Sequence, residues 1–292
     1  MNTDILCEID FLPKDEILAK QSLNDTFDAF RVFEGHYSRF KEGNELWYFN
    51  HSDSTKLSQE FFDLLSCAKY FHTLTKGQFD PSILTALTQE GYQGAAYNEN
   101  QSIARFDSLT LNPTTLSAHK PLDLLIDLGG IGKGYIVDQV TANIGKHHRN
   151  FLVDAGGDIY ARGGNQADGY EYWAIEVEHP LPEYEPAALL LLTDMAVATS
   201  GRNRRHWIKN GIMKHHLINP KTRKSASTDL LTVTVIAPST VAADIWAKVL
   251  CMAGKKSGVA LAEKYQLPAL FIDEQGNMTT TTLFQNYVWK AR

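Results

Sequence analysis

Between residues 129 and 134 the chain reads Gly-Gly-Ile-Gly-Lys-Gly, four glycines and one lysine within six residues. The run Leu124 to Leu128 before it is apolar and short, as a strand is. After it, Ile136, Val140 and Ile144 recur every fourth residue, as on one face of a helix. A strand, a glycine loop and a helix in that order let backbone amides approach a phosphate closely. The helix start adds positive potential and Lys133 a full charge, so a pyrophosphate suits the loop. Two familiar phosphate loops are excluded. The dinucleotide fingerprint needs glycine at 135, where Tyr135 stands, and the nucleotide-triphosphate loop needs Ser or Thr after the lysine, where Gly134 stands. A purely structural tight turn remains the alternative.

The rest of the chain sets this loop in an α+β fold, a mixed β-sheet core with flanking helices. The first hundred residues read as mostly helical. Leu23, Phe27 and Phe30 fall at helical spacing, and a second helix is capped by Ser58, with Leu57 and Phe62 placed as a hydrophobic staple, and stops near Gly77. Pro81 then holds Asp80 out of helical geometry and is placed to open the next helix. From about residue 100 the runs become strand-like: Phe151 to Val153, Trp173 to Val177, Ala187 to Leu192 and Thr232 to Ala237. Asp154-Ala155-Gly156-Gly157-Asp158 is a second glycine turn, flanked by carboxylates. With 292 residues, no internal repeat and no low-complexity linker, residues 1–292 are expected to form a single domain. Its helical portion covers about 1–100 and its sheet-rich portion about 101–292, as one lobe or as two around a cleft.

Composition removes whole classes of function. Hydrophobic residues at 43% and charged residues at 21% describe a folded globular chain. A net charge of −6 with no solidly basic window excludes nucleic acid as a partner. Three cysteines, far apart and without a C-x-x-C pair, give neither a disulfide framework nor a zinc knuckle. No apolar run of about 18 residues is present to span a membrane. Met1 to Glu8 has no basic region leading into an apolar one, so the expected location is the cytoplasm.

Three polar clusters lie downstream: Ala198-Thr199-Ser200-Gly201-Arg202, His215-His216-Leu217-Ile218-Asn219-Pro220 and Ala243-Asp244-Ile245-Trp246-Ala247-Lys248. Each alone is bland. Adjacent histidines on a strand point to opposite faces, so at most one enters a site. Asp244 is read as lying in the first turn of a helix, where the macrodipole alone favours an acid. Ser200 lacks the G-x-S-x-G elbow of a hydrolase nucleophile.

Taken in order, the motifs resemble one family. Tyr37-Ser38-Arg39-Phe40 with Glu45-Leu46 and Asn50, Gly77-Gln78-Phe79-Asp80-Pro81, Asp127 through Tyr135 with Asp138, Asp154 through Asp158, Ala198 through Gly201, His216 through Pro220, and Ala243-Asp244 are similar to the ApbE family of FAD:protein FMN transferases. The resemblance covers about residues 37 to 254. It implies that FAD is bound and its FMN half passed to a threonine hydroxyl of an acceptor flavoprotein, with loss of AMP and with magnesium. It further implies FAD contacts at Phe40, Gln78, Phe79, Asp80, Asp127, Lys133, Leu217 and Ile218, and metal ligation by the Gly130 carbonyl and the Asp244 carboxylate. His216 or Asp244 would deprotonate or orient the acceptor. The alternatives are an FAD-binding protein without transfer, hydrolysis of FAD to FMN and AMP, or a structural module whose glycine turns are only corners.

Two positions depart from the family pattern. Lys248 stands where a metal-binding threonine is usual, one helical turn after Asp244. An ammonium there is expected to pair with Asp244 and take the cation's place. Arg223 stands where a glycine is usual, and is expected to reshape the flavin-side loop or add a phosphate contact.

Overall fold

A computed structural model describes residues 3–92, 104–203 and 205–290. In chain order the elements are β1 (Ile5–Asp10), α1 (Glu16–Tyr37), α2 (Glu45–Asn50), β2 (Ser54–Lys56), α3 (Gln59–Leu74), α4 (Leu84–Gln89), β3 (Thr110–Asn112), β4 (Ser117–His119) and α5 (Gly132–Ile144). They continue with β5 (Asn150–Ala155), β6 (Asp158–Arg162), β7 (Trp173–Val177), β8 (Ala188–Leu192), β9 (Met195–Gly201), β10 (His206–Lys209), β11 (Ile212–His215), β12 (Ile218–Asn219) and β13 (Lys224–Ser225). The last are β14 (Leu230–Ala237), α6 (Thr240–Lys264), β15 (Ala269–Asp273) and β16 (Met278–Thr280). The chain divides into two compact units: a sheet unit of residues 1–31, 133–203 and 227–292, and a helical unit of residues 32–132 and 204–226. The expected change of texture near residue 100 lies outside the described residues.

The sheet unit is built on seven strands in the order β1-β5-β6-β9-β14-β15-β16, every pairing antiparallel. Strand alternation sorts its side chains into two layers. Leu152, Ala161, Val197, Ile236, Leu270 and Ile272 form one core with Trp173, Ile175 and Val177 of β7 and Leu190 and Leu192 of β8. On the other face Ala196, Ala198 and Ala237 meet Ala243 of α6. Small residues there let a helix lie close to the sheet. Ser239 caps α6 by accepting the Ala242 N–H, and the helix breaks at Gly254, whose φ of +76° no helix continues.

The helical unit packs Phe33, Tyr37, Phe49 and Phe61 into an aromatic core, with ring centroids 4.8 Å apart for Phe33 and Tyr37, 5.1 Å for Tyr37 and Phe61 and 5.4 Å for Phe49 and Phe61. Ser58 caps α3 by accepting the Phe61 N–H at 3.1 Å, as its sequence position predicts. Its small sheets are β2-β4-β3, β10-β11 and β12-β13.

Three local expectations are corrected. Leu124 to Leu128 forms no strand and pairs with none among the described residues. Its backbone bonds go elsewhere: the Asn50 side chain accepts from Ile126 N–H at 2.9 Å and donates to Ile126 C=O at 3.1 Å, and Asp127 N–H donates to Pro81 C=O at 2.9 Å. Pro81 does not open a helix. Asp80 instead accepts from the Ser82 amide at 2.8 Å and hydroxyl at 2.5 Å, closing a turn that delays α4 until Leu84. Asp244 lies one turn into α6 rather than in its first turn, where the macrodipole no longer accounts for it.

Candidate functional site

In the sheet unit a two-residue turn sets the first carboxylate. Gly156 and Gly157 both have positive φ, +65° and +91°, the requirement of the tight hairpin turn that matches strand twist. Asp154 fixes the turn by accepting the Gly157 N–H at 2.7 Å, and Asp158 becomes the first residue of β6, only 2% exposed. Lys133, the second residue of α5, donates to Asp158 Oδ2 at 2.5 Å and reaches Ala155 C=O at 3.5 Å. Its approach depends on how α5 meets α6. A Cβ on Gly134 would lie 2.8 Å from Thr240 O and from Val241 N and Cα, so only glycine permits this packing. Asp138 then clamps the start of α6, accepting from Thr240 N–H at 2.7 Å and Val241 N–H at 3.0 Å. Burial pushes the Asp138 carboxyl up despite those two amides.

Asp244, also 2% exposed, completes the group. Its Oδ1 accepts from Lys248 Nζ one turn along α6, as the sequence spacing predicts, and its Oδ2 is buried without a hydrogen-bond partner among the described residues. Two carboxylates and two ammonium groups on α5, β6 and α6 thus form two neighbouring ion pairs, Lys133–Asp158 and Lys248–Asp244. Burial and the neighbouring Asp244 charge raise the Asp158 carboxyl, opposed by Lys133 and Lys248. Asp158 was visible in the sequence only as a carboxylate flanking a glycine turn; its pairing with Lys133 had no local signal.

In the helical unit the expected residues fall into three places. Asp127, 7% exposed, holds Arg39 at 3.0 Å and folds back on the Gly129 N–H at 2.6 Å. The Arg39 guanidinium lies 4.6 Å from the ring centroid of Phe40 and 4.7 Å from that of Tyr92, and Phe40 stays 59% exposed. Arg39 thus joins Asp127 to the rings of Phe40 and Tyr92. The glycine loop is more occupied than its composition suggests. Ile131 and Gly132 N–H groups both donate to Leu128 C=O, at 3.0 and 2.7 Å. With the Gly129 amide these three donors are spent on the turn itself, and Gly132 to Gly134 are already helix. Gly130 is half-buried.

The second place is the turn Gln78-Phe79-Asp80. Gln78 is half-buried, Phe79 and Asp80 buried. His72 donates toward Phe79 C=O at 2.8 Å and pairs with Asp107 at 3.0 Å. Arg223 is not spent on solvent. It donates to Ser82 C=O at 2.8 Å and pairs with Asp80 at 3.3 Å, from a left-handed backbone with φ of +57°. The third place holds the histidines. Only His215 lies on a strand, at the end of β11, and His216 follows in a bend: His215 is buried with Nε2 2.9 Å from Ala226 C=O, while His216 is half-buried with Nδ1 3.4 Å from Arg205 C=O. Leu217 accepts the Ala226 N–H at 2.9 Å, and Ile218 is buried with Ala86 and Leu87.

The pattern of the ApbE family matches residues 1–271. The chain belongs to that family. A Vibrio cholerae protein named FAD:protein FMN transferase is 29% identical over 250 residues, spanning 80% of this chain and 74% of that protein. One of the same name from Haemophilus influenzae is 29% identical over 261 residues, spanning 82% and 75%. Among solved structures, the flavin transferase ApbE of Vibrio cholerae superposes with a TM-score of 0.84 at 24% identity, covering 99% of this chain and 96% of that one. The ApbE protein of Thermotoga maritima gives the same score and coverage at 22% identity. At those identities the superpositions speak for the fold. As an ApbE-family chain it is an α+β protein with a large antiparallel sheet and flanking helices, and among its described residues no helix is long and apolar enough to cross a membrane.

Family membership implies a divalent cation at Asp244. The residues of the sheet unit do not fit one. Asp244 Oδ1 is taken by Lys248, Asp158 is taken by Lys133, and no group of three or more His, Cys, Asp or Glu side chains among the described residues is arranged to hold a metal. A divalent ion at Asp244 would therefore sit beside the Lys248 ammonium.

Proposed function

We propose that this chain transfers the FMN part of FAD to a threonine hydroxyl of an acceptor protein, releasing AMP. The observation that carries the reading is the row Lys133, Asp158, Asp244 and Lys248, in a chain whose relatives are named FAD:protein FMN transferase. In such a reaction the acceptor oxygen forms a bond to the flavin-side phosphorus, the bond from that phosphorus to the bridging oxygen breaks, and AMP leaves with the bridging oxygen. The acceptor proton needs a base, and the phosphate charge needs cations more than covalent help. Asp244 offers a buried carboxylate oxygen with no hydrogen-bond partner among the described residues, which suits it to take the hydroxyl proton. His216 is the second candidate for that proton. Lys133 and Lys248 supply ammonium groups, each paired with a carboxylate; at about 4 Å and an effective dielectric near 20, a unit cation not offset by such a carboxylate is worth on the order of 4 kcal/mol against a phosphate charge.

For FAD binding, the exposed ring of Phe40 offers an aromatic face, held in place by the buried Arg39–Asp127 pair. The Gln78-Phe79-Asp80 turn, braced by His72 and Arg223, and the Leu217-Ile218 segment are proposed as further contacts. The test is direct. The full chain is incubated with FAD and a threonine-bearing acceptor, and the acceptor mass and free AMP are followed. The expected result is one FMN added per acceptor with one AMP released, and a loss of about 10²–10⁴ in rate for Asp244→Ala. AMP release without a change in acceptor mass would assign hydrolysis instead, and binding with neither would leave an FAD-binding protein.

A further inference from the structure

We infer that the Lys248 ammonium takes the place of a divalent cation at Asp244, so that this chain engages FAD without one. The second half of that statement rests on the reading of FAD as substrate; the first concerns the protein alone. Lys248 Nζ sits on Asp244 Oδ1, with the Lys248 side chain 14% and the Asp244 side chain 3% exposed, so the contact is sheltered rather than a solvated surface pair. Both partners lie on the unbroken first part of α6, four residues apart, where helix geometry keeps them side by side. Nearby, Lys133 satisfies Asp158, so the row is already neutral. A divalent ion entering beside it would bring two uncompensated positive charges into sheltered surroundings. It would also have to displace or adjoin an ammonium to reach Asp244 Oδ2, which is buried without a hydrogen-bond partner among the described residues. A tethered ammonium supplies a fixed cation at the same carboxylate.

Mn²⁺ serves as the probe, read by its paramagnetic resonance signal on chelator-treated full-length protein without flavin. The native chain is expected to show no saturable Mn²⁺ site. Lys248→Thr, which removes the ammonium and leaves a hydroxyl at the same position, is expected to bind Mn²⁺ at least about tenfold more tightly than the native chain. The gain should disappear in Lys248→Thr/Asp244→Asn. Lys248→Ala serves in its place where circular dichroism shows that the threonine variant does not fold. In parallel, flavin fluorescence on the native chain should give the same FAD affinity in chelator as in millimolar Mg²⁺. A native Mn²⁺ site that vanishes in Asp244→Asn overturns the inference, as does a folded Lys248 variant with no gain, or FAD affinity that rises tenfold with Mg²⁺. Failure to bind FAD under any condition would instead sink the proposed transfer, leaving the Mn²⁺ comparison to stand by itself.

Discussion

In the sheet unit, Lys133 meets Asp158 and Lys248 meets Asp244 from α5, β6 and α6, elements whose backbones are already satisfied by their own ladders. In the helical unit the buried polar groups do a different job. Asn50 supplies both backbone bonds of Ile126, Asp127 holds Arg39 and the Gly129 amide, and Arg223 ties Ser82 and Asp80. There, side chains replace the secondary structure that the segments lack. Glu90 follows the same rule. Burial would raise its carboxyl, yet Lys214 at 2.8 Å and the Ser225 amide at 2.9 Å hold it below the usual range. A charged pair on regular elements can be given over to chemistry. One on irregular segments is needed to keep the chain in place.

Three variants test that contrast, beginning with the largest effect. Asp158→Ala leaves Lys133 without its carboxylate, and is expected to cost about 3–5 kcal/mol of stability in urea denaturation. A cost below about 1 kcal/mol would mean that the row is solvated and not a buried network. Asn50→Leu strands the Ile126 N–H and C=O, at about 2–4 kcal/mol. Amide exchange should accelerate at residues 124–128 before it does in β14, and uniform acceleration would refute the side-chain splint. Smallest is Lys120→Met. Lys120 lies buried over Phe49 with a long bond, 3.4 Å, to Pro121 C=O, and burial lowers its pKa from 10.5 to about 8. Between those values the unfolded chain holds the proton and the folded chain does not, so native stability rises with pH across that window and the lysine costs stability below it. Lys120→Met is therefore expected to gain about 1 kcal/mol at pH 7 and to lose the slope.

The same contrast explains what could be read from residues alone. The Ser58 cap, the Gly156-Gly157 turn, the alternation of Trp173 to Val177 and the four-residue spacing of Asp244 and Lys248 are local signals, and each appears as its chemistry requires. Leu124 to Leu128 has the composition of a strand, but what decides its partner is Asn50, 76 residues from Ile126. The same holds for the Asp80 turn, which is pinned by Arg223 from 141 residues beyond Ser82. The glycine loop misleads for another reason. Its glycines look like an open cradle, yet three of its amides close the turn.

The interruption at Gly254 gives the long final helix two separate histories. Beyond it, Gly258 lies against Phe271 and the Leu250 carbonyl, and Lys255 takes a fresh cap from Asp229. Substitutions or length changes in that second rod can accumulate during evolution without turning the first. A single residue inserted between Ser239 and Asp244 has no such shelter: it swings everything that follows by about 100° around the axis, carrying the carboxylate and its lysine away from the sheet together.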